Sequence, residues 1–493
     1  MLTNLMRLVG DHAFRNALAM TRFEREVARI HGPFYIICGI GETGLLVCRA
    51  LDTMGYRFVA IDSQQGPVDE LELAGLVQDP PSLVSDARLP TNLLAAGLKR
   101  GTCMGVLALT DNDRVNLAVT MAVRLLKPDT PVLARAQSRE TAANMASFDT
   151  DHIINPFATF GIILALAISA PVSYRLLTWL TGRPGGRIGD ILEPPRGHWV
   201  VCGYGRFGME VVRALRQEGL VVTVIDPKIT ANGEFSVVQG AATNAGPLRE
   251  AGIEQAVGIV AGLSDDVDNL SIVVTARELN KNLFTIVRQN LRANQTLFDA
   301  FDSDMTMVPS EVVASECLAL AHTPMLGRLI DVVLDRNETW ADALIKQLLK
   351  RAGAAVPELW SIRVNASNAP ALHRALMFEK REISVYDLLR DPADRERSLG
   401  LVVLGLTRGK AFTVLPDEDT KLESGDEVLF AGHAGTRDAQ WPLLRDATIS
   451  EYVLTGIERP QGWLWRAFSR RTKAETGRGP NHKVQESKAP GAN

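Results

Sequence analysis

The sequence predicts an α/β fold, with two tandem doubly wound parallel-sheet domains, crossover helices after each, and a small α+β domain behind them. Three observations lead there. The segment YIICGIGETGLLVCRALDTMGYRFVAID (35–62) matches WVVCGYGRFGMEVVRALRQEGLVVTVID (199–226) without a gap at an offset of 164. Each segment runs from an apolar, β-branched stretch through Gly-x-Gly-x-x-Gly into a helical pattern, the order of a buried parallel strand, a tight turn and a helix. The length of 493 residues accommodates about three domains of ~150 residues.

Composition narrows the function. Lys+Arg 53 against Asp+Glu 57 leaves a net charge of −4, so the basic excess of a nucleic-acid binder is missing and no nucleic-acid partner is expected. Five cysteines, Cys38, Cys48, Cys103, Cys202 and Cys317, are odd in number and lack metal-ligand spacing, which fits a reducing cytoplasm. Cys38 and Cys202 hold the same place in the two copies and read as small buried residues. The eight histidines show no HxxxH or HExxH spacing, so no metal site is expected.

In chain order, residues 1–30 read as an amphipathic helix or linker carrying Arg7, Arg15, Arg22, Arg25 and Arg29. Residues 31–155 form the first nucleotide-binding domain, and 156–196 its crossover helices and linker. Within the latter, the continuous apolar part, roughly 160–170, falls short of the ~20 residues of a spanning helix. It maps onto a second-copy stretch that carries Glu316 and His322, so it reads as a helix, a proline break and a helix buried against protein. Residues 197–309 form the second domain and 310–355 its crossover helices. Past the glycine segments the copies stay in register at an offset of 153. There Asn116, Arg124, Arg135, Asp149, Asp151 and Pro156 pair with Asn269, Arg277, Arg288, Asp302, Asp304 and Pro309. A small domain over 356–458 and a basic, aromatic tail over 459–493 complete the chain, the tail resting on an anionic membrane surface or staying disordered.

The glycine loops carry the chemistry. Gly39 and Gly203 make the turn, Gly41 and Gly205 let backbone approach a pyrophosphate, and Gly44 and Gly208 let the helix pack close to the strand. The first-turn N–H groups, including those of Thr43 and Phe207, then face the phosphates, with Ile40 and Tyr204 between the glycines. Asp62 and Asp226 each follow the third glycine by 18 residues, where a carboxylate accepts ribose hydroxyls and repels a 2′-phosphate. This makes each copy a Rossmann-like dinucleotide or adenine-nucleotide site.

The loops differ at Glu42 and Arg206. A carboxylate disfavours extra negative charge, whereas a guanidinium pairs with a β- or γ-phosphate. NAD(H) is therefore expected at the first site, and ADP, ATP or NAD(H) at the second; the alternative is that both side chains point to solvent. Asn116 and Asn269 read mainly as residues that cap helices and fix loops, with ligand contact the lesser alternative.

These units, with the Ala96-Gly97-Leu98 and Ala251-Gly252-Ile253 turns and the TDNDRVN and LSDDVDN segments, resemble the regulator-of-potassium-conductance domain, also called the KTN or TrkA-N domain. The stretch LVVLGLTRGKAFTVLPDEDTKLESGDEVLFAGH (401–433) is similar to the TrkA-C module. The resemblance covers roughly residues 31–458. It implies a non-enzymatic, nucleotide-sensing regulator of potassium transport, cytoplasmic and held at the inner membrane face by a channel or transporter pore. The pore would be a separate subunit or a missing N-terminal part of the same frame. Domains would pair through the crossover helices, and a homo-tetramer would supply a ring of eight. The family's Gly-Asp-Ala after the third strand is Ser85-Asp86-Ala87 in the first copy, which adds Asp86 to the adenosine side. It is Gly240-Ala241-Ala242 in the second copy, where the acid is lost. The competing class is an NAD-dependent oxidoreductase, but no Tyr-x-x-x-Lys pair or His/Asp arrangement stands ready for hydride transfer.

Overall fold

The structure, a computed structural model, describes residues 12–457 apart from 183, 184, 187, 190, 231, 232, 323 and 324, with backbone only for 12–16, 321 and 322. The start of the expected N-terminal helix and the tail over 459–493 lie outside the described residues. The chain divides into two compact units, 1–346 and 347–493.

Helix α1 (His12–Ala28) opens the first unit and buries Phe23 and Val27, followed by Ile30, in the core of the first domain. Arg100 donates to Val27 O in its last turn and, at 2.7 Å, to Ile30 O just beyond its end. The expected linker is thus a docked helix over the part described. Next come β1 (Phe34–Cys38), α2 (Glu42–Thr53), β2 (Arg57–Asp62), α3 (Gln65–Glu72), β3 (Ser82–Val84), α4 (Pro90–Ala95) and β4 (Cys103–Ala108). The domain continues through α5 (Asp113–Leu126), β5 (Val132–Arg135), α6 (Arg139–Ala146) and β6 (His152–Ile154). The strands form one parallel sheet in the order β3-β2-β1-β4-β5-β6. Every residue of β1 is buried, as the continuous apolar run demands of a central strand covered on both faces.

Two helices follow, α7 (Pro156–Ser169) and α8 (Pro171–Thr181). Asn155 caps α7 by accepting from Phe157 N and Ala158 N, and Pro171 ends it by starting the next helix. The second domain repeats the plan with β7 (His198–Cys202), α9 (Arg206–Gln217), β8 (Val221–Ile225), β9 (Ser236–Val238), α10 (Ala245–Glu250) and β10 (Gly258–Ala261). It continues with α11 (Asp266–Leu279), β11 (Phe284–Arg288), α12 (Gln295–Phe301) and β12 (Met305–Met307), in the sheet order β12-β11-β10-β7-β8-β9. Helices α13 (Pro309–His322), α14 (Met325–Asp335) and α15 (Glu338–Ala352) come after it. The matched residues at an offset of 153 prove to be buttresses. Asp151 accepts from Val132 N and Asp304 from Thr285 N, while Asp302, the C-cap of α12, and Asp149, three residues past the end of α6, both have φ near +50°.

The two domains exchange their crossover helices. Phe157, Phe160, Leu164 and Ile168 of α7 lie in the core of the second domain, against Val211 and Leu215 of α9. Val313, Ala314 and Cys317 of α13 lie in the core of the first, against Val47 and Leu51 of α2. The apolar stretch after the first domain is therefore buried against protein, and among the described residues no single helix is long and apolar enough to cross a membrane.

In the second unit, β13 (Glu358–Arg363), α16 (Pro370–Met377), α17 (Val385–Leu388), β14 (Leu401–Arg408), β15 (Ala411–Val414), β16 (Glu427–Gly432), α18 (Thr436–Arg445) and α19 (Ala447–Thr455) surround a four-stranded antiparallel sheet, β13-β16-β14-β15. Its core stacks Trp360 on Phe430 at 5.5 Å. Gln440 is buried there and bridges Trp360 Nε1 to Leu388 O.

Candidate functional site

In both parallel sheets the strand order reverses between the first and fourth strands, and the glycine loops lie at that switch point, where a crevice opens at the carboxyl ends. The steric demands at the first and third glycines are those their spacing predicts. Gly39 has φ +97°, and a Cβ there would stand 2.8 Å from Thr110 N; Gly203 has φ +92°. A Cβ on Gly44 or Gly208 would come within 2.0 Å of the carbonyl oxygen of Gly39 or Gly203, so only glycine lets helix and strand approach this closely. Gly41 and Gly205 face open space instead. They are the N-caps of α2 and α9 and carry no side-chain cap, which leaves first-turn N–H groups directed at the crevice.

Between and behind the glycines, Ile40, Thr43 and Phe207 are buried, and half-buried Tyr204 packs on Phe235 at 5.1 Å. The acids at the ends of β2 and β8 turn toward the loops. Asp62 accepts from Ile40 N at 2.7 Å and Gln64 N at 2.9 Å, and Asp226 accepts from Tyr204 N at 2.9 Å and Lys228 N at 2.8 Å. Each carboxylate therefore holds its own glycine turn in place before any ribose is considered. Asp86, on the loop after β3, forms a two-pronged pair with Arg88, which holds its carboxyl below the usual range.

One expectation needs correcting. Asn116 and Asn269 do not cap helices, because Asn112 and Asp265 occupy the N-cap positions of α5 and α11. Asn116 and Asn269 are fully buried one turn later and fix loops. Asn116 accepts from Thr110 N and donates to Arg135 O, and Asn269 accepts from Leu263 N and donates to Arg288 O.

Those carbonyls belong to residues whose importance the sequence reading passed over. Arg135 and Arg288 end β5 and β11, each with a buried Nε that has no hydrogen-bond partner. Burial pushes both guanidinium groups down, Arg288 to about 10, and the positive charge of Arg206 adds to the shift in both. Arg206, exposed on the second loop, thus acts on an arginine of each domain. Arg135 also reaches Thr43 Oγ1 at 3.5 Å, at the start of α2. Three positive charges gathered beside two uncapped helix N-termini form an environment suited to a phosphate. The repeat alignment, which pairs Arg135 with Arg288, was the signal that could have found them.

The seam between the domains is bound by charged contacts of opposite design. Arg139 of the first domain grips Glu210 of α9 with two bonds of 2.8 Å, and Arg213 holds the same carboxylate. At the matching place in the other direction, Glu42 accepts from Arg292 N at 3.0 Å. Glu42 is exposed, yet its partner is the second domain and not solvent alone.

Residues 35–156 and 199–309 each match the TrkA-N domain. Potassium channel protein 1 of Methanocaldococcus jannaschii is 20% identical over 250 residues, 49% of this chain and 65% of that one. Probable potassium channel protein 2 of the same organism is 24% identical over 243 residues, 48% of this chain and 63% of that one. A Trk system potassium uptake protein TrkA homolog of Pyrococcus horikoshii is 28% identical over 142 residues, 27% of this chain and 62% of that one. The chain thus spans less than two thirds of the length of these relatives. Among solved structures, the GsuK channel bound to NAD aligns over 86% of this chain and 80% of its own, with 15% identity and a TM-score of 0.50.

Proposed function

From a chain that carries two TrkA-N domains in tandem, we propose a nucleotide-sensing regulator of potassium transport. The observation that carries this reading is the pair of uncapped glycine loops at the strand reversals of two domains that exchange crossover helices, so that a ligand in either loop lies beside the seam. The potassium channel and TrkA relatives support the process, and the NAD bound to the GsuK channel supports the ligand class.

In this reading the domains are 31–155 and 197–309, with a TrkA-C-like module over 356–458. The first site, with Gly39, Ile40, Gly41, Glu42, Thr43, Gly44, Asp62 and Asp86, takes NAD(H). The second, with Gly203, Tyr204, Gly205, Arg206, Phe207, Gly208 and Asp226, takes ADP, ATP or NAD(H). Arg206 and Arg288 supply positive charge there, while Glu42 puts a carboxylate at the first helix terminus and disfavours a triphosphate. Binding energy would shift the seam between two arrangements and pass to a membrane pore at the cytoplasmic face. Four chains would supply eight such domains for a ring. The protein binds its nucleotides without turning them over.

Calorimetry with NAD, NADH, ADP and ATP on the intact chain tests this reading. Asp62→Ala and Asp226→Ala are expected to weaken binding at their own sites by about tenfold, the worth of a charge-assisted hydrogen bond. Absence of any nucleotide binding overturns the proposal, and steady consumption of NADH with a small metabolite would favour an oxidoreductase.

A further inference from the structure

We propose that Arg288 is a phosphate-binding residue of the second glycine loop, and that it signals occupation of that loop to the first domain by leaving the ring of Phe157. The proposal rests on the nucleotide-binding reading above and adds a residue and a route to it.

Three observations carry it. The guanidinium carbon of Arg288 stands 4.9 Å from the centre of the Phe157 ring, and its buried Nε has no hydrogen-bond partner. Phe157 belongs to the first domain's crossover helix α7 but packs 6.1 Å from Phe207, in the first turn of α9 behind the second loop, with Phe160 at 5.3 Å from the same ring. The matching place in the other direction shares the unpartnered Nε, on Arg135, but has no rings. Ser310 stands where Phe157 does and Thr43 where Phe207 does, and Arg135 reaches that threonine hydroxyl instead of a ring.

The physical logic is a competition for one cation. An arginine resting on an aromatic face gains a modest attraction, whereas charge-assisted bonds to a phosphate are stronger and directional. With the loop empty, Arg288 is held beside Arg206, whose like charge opposes it. A phosphate between the two removes that repulsion and draws Arg288 off the ring. Phe157 then loses its cover on one side, and α7 is the element free to respond. Because α7 continues the first domain's chain, the second site reports across the seam, and the first site lacks the ring to report back in the same way.

The test uses the intact chain and ATP, reading the binding component that Gly205→Ala weakens, since a Cβ there meets nothing in the fold but enters the phosphate approach. Calorimetry gives affinity, and hydrogen exchange over residues 156–169 gives the response of α7. In the wild type ATP is expected to bind and to change exchange in that segment. Phe157→Leu keeps the position apolar but frees the arginine; ATP is expected to bind about three- to tenfold more tightly, from the cation–π contact no longer broken, with the exchange response lost. Arg288→Gln is expected to bind ATP at least about tenfold more weakly. Phe157→Leu with wild-type affinity and wild-type exchange response overturns the proposal, as does Arg288→Gln with wild-type affinity. Arg288→Gln decides alone if Phe157→Leu fails to fold. A wild-type chain that binds no nucleotide overturns the functional reading beneath the proposal, an outcome separate from both.

Discussion

Gly41 and Gly44 stand three residues apart and answer to different constraints, so their alanine variants separate fold from ligand. A Cβ on Gly44 would meet the Gly39 carbonyl oxygen at 2.0 Å, and backbone on both sides leaves no room to yield. Gly44→Ala is expected to cost about 1–3 kcal/mol or more, the range for overpacking, and to lower the melting midpoint. Gly41, with φ −59° and ψ −171°, accepts an alanine without strain and without a neighbour. Gly41→Ala is expected to keep the wild-type midpoint while weakening nucleotide binding at the first site. Equal losses of stability in both variants would contradict this division. These roles were legible in the sequence, because steric demands on glycine are local and travel with the motif. The work of Asp62 was only half legible: its position announced a ribose contact, but its bond to Ile40 N depends on how the loop curls back. Arg135 and Arg288 stood paired in the repeat but unmarked as site residues, because an arginine at a strand end has no local signature; the sheet order brings them to the crevice.

At the scale of elements, the exchange brings together two glutamates, Glu210 on α9 and Glu316 on α13, whose proton affinities are shifted in opposite directions. Burial raises the affinity of Glu210, but Arg139 and Arg213 outweigh it and hold the carboxyl below its usual value of 4.5. A lowered folded value stabilises above the unfolded value and is lost as pH falls through the folded one. Arg139→Ala is therefore expected to cost about 0.5–1 kcal/mol near pH 7, because Arg139 is more than half exposed and Arg213 still holds the carboxylate, and the difference from wild type should shrink below about pH 4. Glu316 of α13 has the opposite sign. Burial pushes its carboxyl above 4.5, with only a hydrogen bond from Thr159 of α7 working against the shift. Its contribution is fully present below the unfolded value and declines as pH rises through the folded one, so Glu316→Gln is expected to raise the melting midpoint at pH 7 and above while changing little at pH 4. Melting curves across that range check both variants. A Glu316→Gln protein less stable than wild type at pH 8 would show the carboxylate to be paired in the folded state. The sequence marked both helices and the proline between α7 and α8, but hydrophobic periodicity says only that a helix has an apolar face, not which surface receives it.

For the molecule as a whole, the exchange of α7 and α13 makes the first unit an internal pair, and this determines what a cut would do. A piece ending after α8 keeps Phe157, Phe160, Leu164 and Ile168 but loses the α9 surface that buries them, and its own core loses Val313, Ala314 and Cys317. Exposing that much contiguous apolar surface costs about 25 cal/mol per Å², so the piece gains by finding another cover. The repeat supplies one, because a second copy of the same piece presents α2 where α9 stood. Residues 12–182 produced alone are therefore expected to form a homodimer, and, mixed with residues 191–346, to re-form a one-to-one pair in its place. The mixed pair should win because it restores the Arg139–Glu210 bonds, which the homodimer lacks: Leu46 occupies the position of Glu210 in the first copy. Light scattering on the separate and mixed pieces decides the matter. A first piece that stays monomeric and fully folded would mean that α7 does not need a partner domain, and with it would go the seam through which nucleotide binding is proposed to act.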